Sequence, residues 1–180
     1  MQRTYAIGDV HGRDDLLGDL LDEIGRRSDE ELPRLIFLGD IVDRGPGSRN
    51  ALELVDSALA KYPGSALVLG NHDERFIHGI ARYLHPAVLN HWLDEFGGWD
   101  TVASYFDGEM PTFSRFEDEV YESYGHHVDL LWNAVSMVET ERHCFVHAGI
   151  RPGVPLAKQD RGDLLWIREG FLDHLEPLRR

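Results

Sequence analysis

The chain has 180 residues, 42% of them hydrophobic, and a formal net charge of −14. That length fits one domain, residues 1–180, able to bury a sizeable core without staples, and the acidic balance excludes non-specific nucleic-acid binding, which needs basic groups against phosphate. The single cysteine, Cys144, excludes an internal disulfide framework and fits a reducing compartment.

Met1-Gln2-Arg3-Thr4-Tyr5 runs straight into a strand-like segment, Thr4 to Ile7, with no apolar leader. No run approaches membrane-spanning length, so a soluble cytoplasmic protein is expected. Leu16, Leu17, Leu20, Leu21 and Ile24 then form an apolar stripe at helical spacing. Leu35 to Leu38 reads as a second strand. After the Pro46-Gly47 turn, Ser48 is placed to cap a helix carrying Ala51, Leu52, Leu54, Val55, Ala58 and Leu59. Ala66 to Leu69 reads as a third strand, and Phe76, Ile77 and Ile80 stripe the next helix. This order predicts an α/β fold with a parallel sheet and crossover helices. Between about Leu84 and Gly125 the pattern becomes short helical pieces, read as an insertion capping one end of the sheet. Its aromatics (Trp92, Phe96, Trp99, Tyr105, Phe106) read as a small core. Ser136 to Thr140 and Cys144 to Val146 are later strands, with Cys144 a small core residue.

The chemistry lies in the loop at the end of each strand. Gly8-Asp9-Val10-His11-Gly12 comes after the first, and Gly39-Asp40-Ile41-Val42-Asp43-Arg44-Gly45 after the second. Gly70-Asn71-His72-Asp73 comes after the third, and His147-Ala148-Gly149 after the segment 144–146. Open α/β sheets bind ligands at the carboxyl ends of their strands. Taken singly, each cluster could be a turn, a helix cap or a surface ion pair. Four in order, each after a strand, point instead to one convergent site.

These four loops resemble those of the phosphoprotein phosphatase family of calcineurin-like metallophosphoesterases, most closely its small bacterial members. Gly97-Gly98-Trp99-Asp100-Thr101-Val102-Ala103-Ser104-Tyr105 and Leu164-Leu165-Trp166-Ile167-Arg168-Glu169 resemble further stretches of those proteins. The resemblance implies two packed mixed sheets flanked by helices. It also implies two divalent metal ions, for which carboxylate, amide and imidazole donors without thiolate suit manganese, iron or zinc. By resemblance, Asp9 and His11 hold the first metal, Asp40 bridges, and Asn71 and His147 hold the second. A water activated between the metals attacks phosphorus in line. His72 acts as general acid, oriented by Asp43, while Arg44 and Arg168 clamp phosphate oxygens. His126-His127 are adjacent, share no helix face and precede a helix predicted over Val128 to Ala134, so they read as terminus residues. His78, His85, His91 and His143 read as structural or exposed.

The family also carries a histidine ligand in a late His-Gly-His-like segment, and this sequence has no such segment. His174, in Phe171-Leu172-Asp173-His174-Leu175, reads as a solvent-facing helix position. The second metal is therefore expected to be held weakly and the second sheet to be incomplete. The Asp43-Arg44 pair favours hydrolysis of phosphate monoesters in the manner of a serine/threonine protein phosphatase, with a phosphorylated protein or small phosphate ester as substrate. Asp73, where most protein phosphatases carry Glu, keeps symmetric diadenosine tetraphosphate hydrolysis open as the alternative. A metal-poor binding module is a third reading.

Overall fold

A computed structural model of the chain describes residues 2–28 and 31–174. Strands β1 (Thr4–Ile7), β2 (Arg34–Phe37) and β3 (Ala66–Leu67) form a parallel sheet in that order, Thr4 pairing with Arg34 and Phe37 with Leu67. Helix α1 (Asp14–Arg26) connects β1 to β2, and α2 (Ser48–Lys61) connects β2 to β3. Then come α3 (Asn71–Ile80), α4 (Pro86–Glu95), α5 (Gly98–Ser104), α6 (Phe113–Ser123) and α7 (Gly125–Trp132). A hairpin of β4 (Val138–Glu139) and β5 (Cys144–Phe145) is next, and α8 (Arg161–Trp166) comes last.

Strand β2 is buried on both faces, as an inner parallel strand should be. Leu35 and Phe37 point into the helical core with Leu52, Val55, Phe76 and Ile77. Ile36 points the other way, packing with Val68 and Val138, against which Leu38, Ala66 and Phe145 lean. The hairpin thus covers the sheet's second face with little area.

Several expectations need adjusting. Among the described residues neither sheet is mixed: the first is parallel, extended by a parallel bridge from Val68 to Val135, and the second is a two-stranded antiparallel pair. The third strand ends at Leu67, because Leu69 bonds to Val135 instead, its N–H donating to that carbonyl at 2.9 Å. In α1 only Leu17 and Ile24 are fully buried, while Leu16 and Leu20 face outward. Ser48 is the first residue of α2 rather than its cap; Gly47 stands at the cap position. The helix predicted over 128–134 starts three residues earlier, and Cys144 is only half-buried. The insertion is helical as expected, formed by α4, α5 and α6. Among the described residues no helix is long and apolar enough to cross a membrane.

Candidate active site

Two glycines allow the loops after β2 and β3 to meet. Gly39 has φ +92, and a Cβ there would sit 2.4 Å from the Gly70 nitrogen; a Cβ on Gly70 would sit 2.1 Å from the Asp40 nitrogen. Only residues lacking a Cβ permit that approach. It sets the Asp40 carboxylate, 4% exposed, at the centre of the convergence. His11 Nε2 lies 3.6 Å from one Asp40 oxygen, His72 Nε2 4.0 Å from the same oxygen, and His147 Nε2 3.5 Å from the other. Asp9 is more open and lies 3.9 Å from His11 Nε2. Ligand-type atoms of Asp9, Asp40 and His147 all fall within 4.8 Å of one another, as do those of His11, Asp40 and His72.

Backbone carbonyls set which nitrogen each imidazole presents. His11 Nδ1 lies 2.9 Å from the Val42 carbonyl, and His147 Nδ1 lies 2.8 Å from that of Leu38. A carbonyl only accepts, so each Nδ1 carries the proton and, in the neutral ring, each Nε2 turns a lone pair toward Asp40. Burial pulls His11 below its ordinary pKa, with Arg44 and His72 adding to the effect and the Val42 carbonyl and Asp40 opposing it. Its Nε2 is buried and has no hydrogen-bond partner among the described residues. An orphaned lone pair between two carboxylates is what a divalent cation would satisfy, so these donors fit metal binding. The Asn71 amide completes the group, 3.0 Å from His147 Nε2; with its nitrogen turned inward it also reaches both Asp40 oxygens at 3.1 Å.

Beside this cluster lies a buried acid–base pair. His72 is 1% exposed, and its Nδ1 lies 2.7 Å from Asp43 Oδ2. Asp43 is wholly buried, and a buried carboxylate needs donors. It receives Trp92 Nε1–H at 2.8 Å on Oδ2 and the Thr101 hydroxyl at 2.7 Å on Oδ1. Its own N–H donates to Thr101 Oγ1 at 2.8 Å and to Ser48 Oγ at 3.1 Å. Asp43 and Arg44 are therefore not a surface ion pair. Arg44 donates instead from NH2 to His72 Nε2 at 3.0 Å. The Arg44 N–H donates to the Gly97 carbonyl at 3.3 Å, so the Gly97–Tyr105 stretch supports this loop directly.

Four residues here carry no site role that the sequence pattern suggested. Trp92 and Thr101 reach Asp43 from the insertion, and Ser48 touches its backbone. Asp73 is fully buried and accepts the N–H groups of Asp40 and Ile41 at 2.8 Å, of Gly70 at 3.1 Å and of Val42 at 3.4 Å. Burial and the charge of Asp40 push its carboxyl up to about 7, against those amides. A sequence signal for Asp73 did exist: an acid at the third position of a helix after glycine suits a reach back to the N-terminal amides.

Arg168 is placed differently. It is exposed, just past α8, and its guanidinium makes no hydrogen bond or ion pair among the described residues. His174 is exposed as expected, but it follows a turn at 171–173 rather than lying in a helix. His126 and His127 do occupy the first turn of α7, but they converge on Glu53, which the sequence pattern did not reveal.

A family model described as calcineurin-like phosphoesterase matches residues 2–174. The symmetrical bis(5'-nucleosyl)-tetraphosphatase of Janthinobacterium sp. (strain Marseille) is 35% identical over 149 residues, covering 83% of this chain and 44% of that protein. The protein of the same name from Methylobacillus flagellatus is 40% identical over 186 residues, covering 96% of this chain and 54% of that protein. The chain thus spans about half the length of the curated relatives it matches. The crystal structure of a metallophosphoesterase from Sphaerobacter thermophilus superposes with a TM-score of 0.50 at 27% identity, over 82% of this chain and 47% of that one.

Proposed function

We propose that this chain, which belongs to the calcineurin-like phosphoesterase family, hydrolyses dinucleoside polyphosphates of the diadenosine tetraphosphate class. The observation that carries this reading is 35% identity over 83% of the chain to a protein named for that reaction. It replaces the protein phosphatase favoured by the sequence, which none of the named relatives supports. A dinucleotide also has somewhere to rest its base. The Phe96 ring lies 5.1 Å from that of His72 and 6.2 Å from that of Trp166, which is 39% exposed and has the Arg75 guanidinium 5.4 Å over it. An exposed indole beside a phosphate site suits base stacking.

Asp9 and His11 would hold one divalent metal, Asn71 and His147 a second, and Asp40 both; manganese is the favoured ion, with iron or zinc as alternatives. Such metals, when bound, neutralise phosphate charge and activate a water for in-line attack. Asp43 fixes the His72 ring so that Nε2 faces the reacting group. In the present arrangement that nitrogen accepts from Arg44, so it carries no proton. A substrate phosphate drawing Arg44 away frees Nε2 to hold one and deliver it to the leaving oxygen. One water is consumed, a P–O–P bond breaks, and a symmetric tetraphosphate yields two nucleoside diphosphates. Asp43 favours a retained monoesterase activity as well, because a supported acid matters most for a poor leaving group.

The test is kcat/KM for diadenosine tetraphosphate, p-nitrophenyl phosphate and a phosphopeptide with Mn²⁺, with nucleotide products resolved by chromatography. The tetraphosphate should be turned over fastest, giving ADP alone. A phosphopeptide favoured tenfold or more would overturn the reading and restore the protein phosphatase.

A further inference from the structure

Outside the four loops, Glu53 on α2 and the His126-His127 pair on α7 bring three ligand-type side chains within 4.8 Å of one another. Adjacent residues usually diverge around a helix. These two sit in the first turn of α7 with ring centroids 4.3 Å apart, and Glu53 reaches them from the neighbouring helix. Both Nε2 atoms lie 3.0 Å from the same oxygen, Glu53 Oε1. Ligands around a tetrahedral zinc ion, with bonds near 2.0–2.2 Å, stand roughly 3.3 Å apart, so little movement would seat an ion.

His127 supplies a second, independent observation. It is 0% exposed, and its Nε2, although 3.0 Å from Glu53 Oε1, has no geometrically formed hydrogen bond among the described residues. A buried polar atom left unsatisfied is costly, and an ion there would satisfy it. Its other nitrogen, Nδ1, lies 2.8 Å from the hydroxyl of Tyr105, itself buried. That contact can take the ring proton on Nδ1 and leave the Nε2 lone pair aimed at Glu53, the outer support typical of metal-binding histidines.

We propose that Glu53, His126 and His127 bind a divalent transition metal of the zinc class, joining α2 to α7 at a site separate from the Asp40 centre. Two imidazoles and one carboxylate favour zinc-like ions over magnesium or calcium, which prefer all-oxygen cages. Glu53 and His126 side chains are each 46% exposed, leaving the fourth position open to water.

The experiment is titration of the full metal-free chain with Zn²⁺ at pH 7.5, read as equivalents bound. Wild type, His126→Ala, Glu53→Gln and, as a surface-histidine control, His143→Ala are compared. His126→Ala and Glu53→Gln alter half-exposed side chains and keep the fold, checked by circular dichroism, and should leave Mn²⁺-supported turnover unchanged. Each should lose one zinc equivalent, or bind it more than roughly 100-fold more weakly, and His143→Ala should titrate as wild type. An unchanged titration in either Glu53→Gln or His126→Ala overturns the site. A similar loss in His143→Ala would mark the binding as adventitious and overturn it too.

Discussion

Thr101→Val is the sharpest probe of the acid–base pair, because it removes one hydroxyl and conserves shape. The side chain is wholly buried, so neither water nor a rotamer change can replace what is lost. Its O–H donates to Asp43 Oδ1 at 2.7 Å, and that oxygen has no other donor among the described residues. A hydrogen bond to a charged group contributes about 1.5–3 kcal/mol, and leaving its buried acceptor bare moves the loss to the upper part of that range or slightly beyond. The Asp43 N–H keeps Ser48 Oγ at 3.1 Å, so the second bond Thr101 makes is partly replaced. The expected loss is about 2–4 kcal/mol by urea denaturation of the metal-free chain, within the 5–15 kcal/mol of a typical domain. With Asp43 held on one side only, the His72 ring loses orientation, and kcat should fall roughly tenfold with KM little changed. Ser48→Ala is the comparison: it removes the longer partner of the Asp43 N–H and a 3.1 Å hydrogen bond to Thr101 Oγ1, leaves the Thr101–Asp43 contact in place, and should cost about 1 kcal/mol, less than Thr101→Val. A Thr101→Val loss below about 1 kcal/mol with unaltered kcat would refute the reasoning.

Three further outcomes are expected. Asp40→Asn should abolish turnover and weaken binding of both divalent metals; near-normal activity with two metals per chain, by elemental analysis, would sink the bridging role. His72→Asn should keep the metals but slow hydrolysis roughly 10²–10⁴-fold. That loss should be larger for an alkyl phosphate than for the tetraphosphate, whose leaving diphosphate needs less protonation, so equal losses in parallel assays would count against the acid. Trp166→Ala should raise KM for diadenosine tetraphosphate severalfold while leaving that for p-nitrophenyl phosphate in place; a uniform change would remove the base-stacking shelf.

The convergence of Asp9, His11, Asp40, Asn71 and His147 was legible because each comes after a strand and glycines mark the tight turns. Asp43 and Arg44, which bond to His72, were legible for the same reason, lying together in the loop after β2. Trp92 and Thr101 were not. They meet Asp43 across 49 and 58 residues of chain, and a tryptophan in an aromatic-rich helical segment looks like core, which Trp92 also is. Strand lengths were over-read, since apolar runs such as Ala66 to Leu69 continue past the point where pairing switches to Val135. Arg168 stands apart: a familiar segment carried an arginine that the fold leaves exposed, with no hydrogen bond or ion pair among the described residues to position its guanidinium. His126-His127 are helix-terminus residues as read, but a rule for two residues on one helix could not show Glu53 arriving beside them from another helix.

The Asp40–Arg44 segment has no secondary structure, yet its amides are all engaged. Those of Asp40, Ile41 and Val42 donate to Asp73, that of Asp43 to Thr101, and that of Arg44 to Gly97. Meanwhile Val10 and His11 both donate their N–H groups to the Asp40 carbonyl, at 3.0 and 2.9 Å, which fixes the first loop to the second. These bonds hold an unfavourable backbone. His11, Asp40, Asp43 and Arg44 all have positive φ, at 47, 53, 74 and 69°. Each such non-glycine residue costs about 1–3 kcal/mol and persists only where its surroundings over-determine it. The strain falls on residues whose side chains converge, and in each loop the amide network lies behind them. A backbone held this way points its carboxylates and imidazoles inward before any cation arrives. Metal binding then spends little energy on ordering the loops. Asp73 is the residue on which most of that order rests, because a single side chain accepts from both loops that Gly39 and Gly70 bring together.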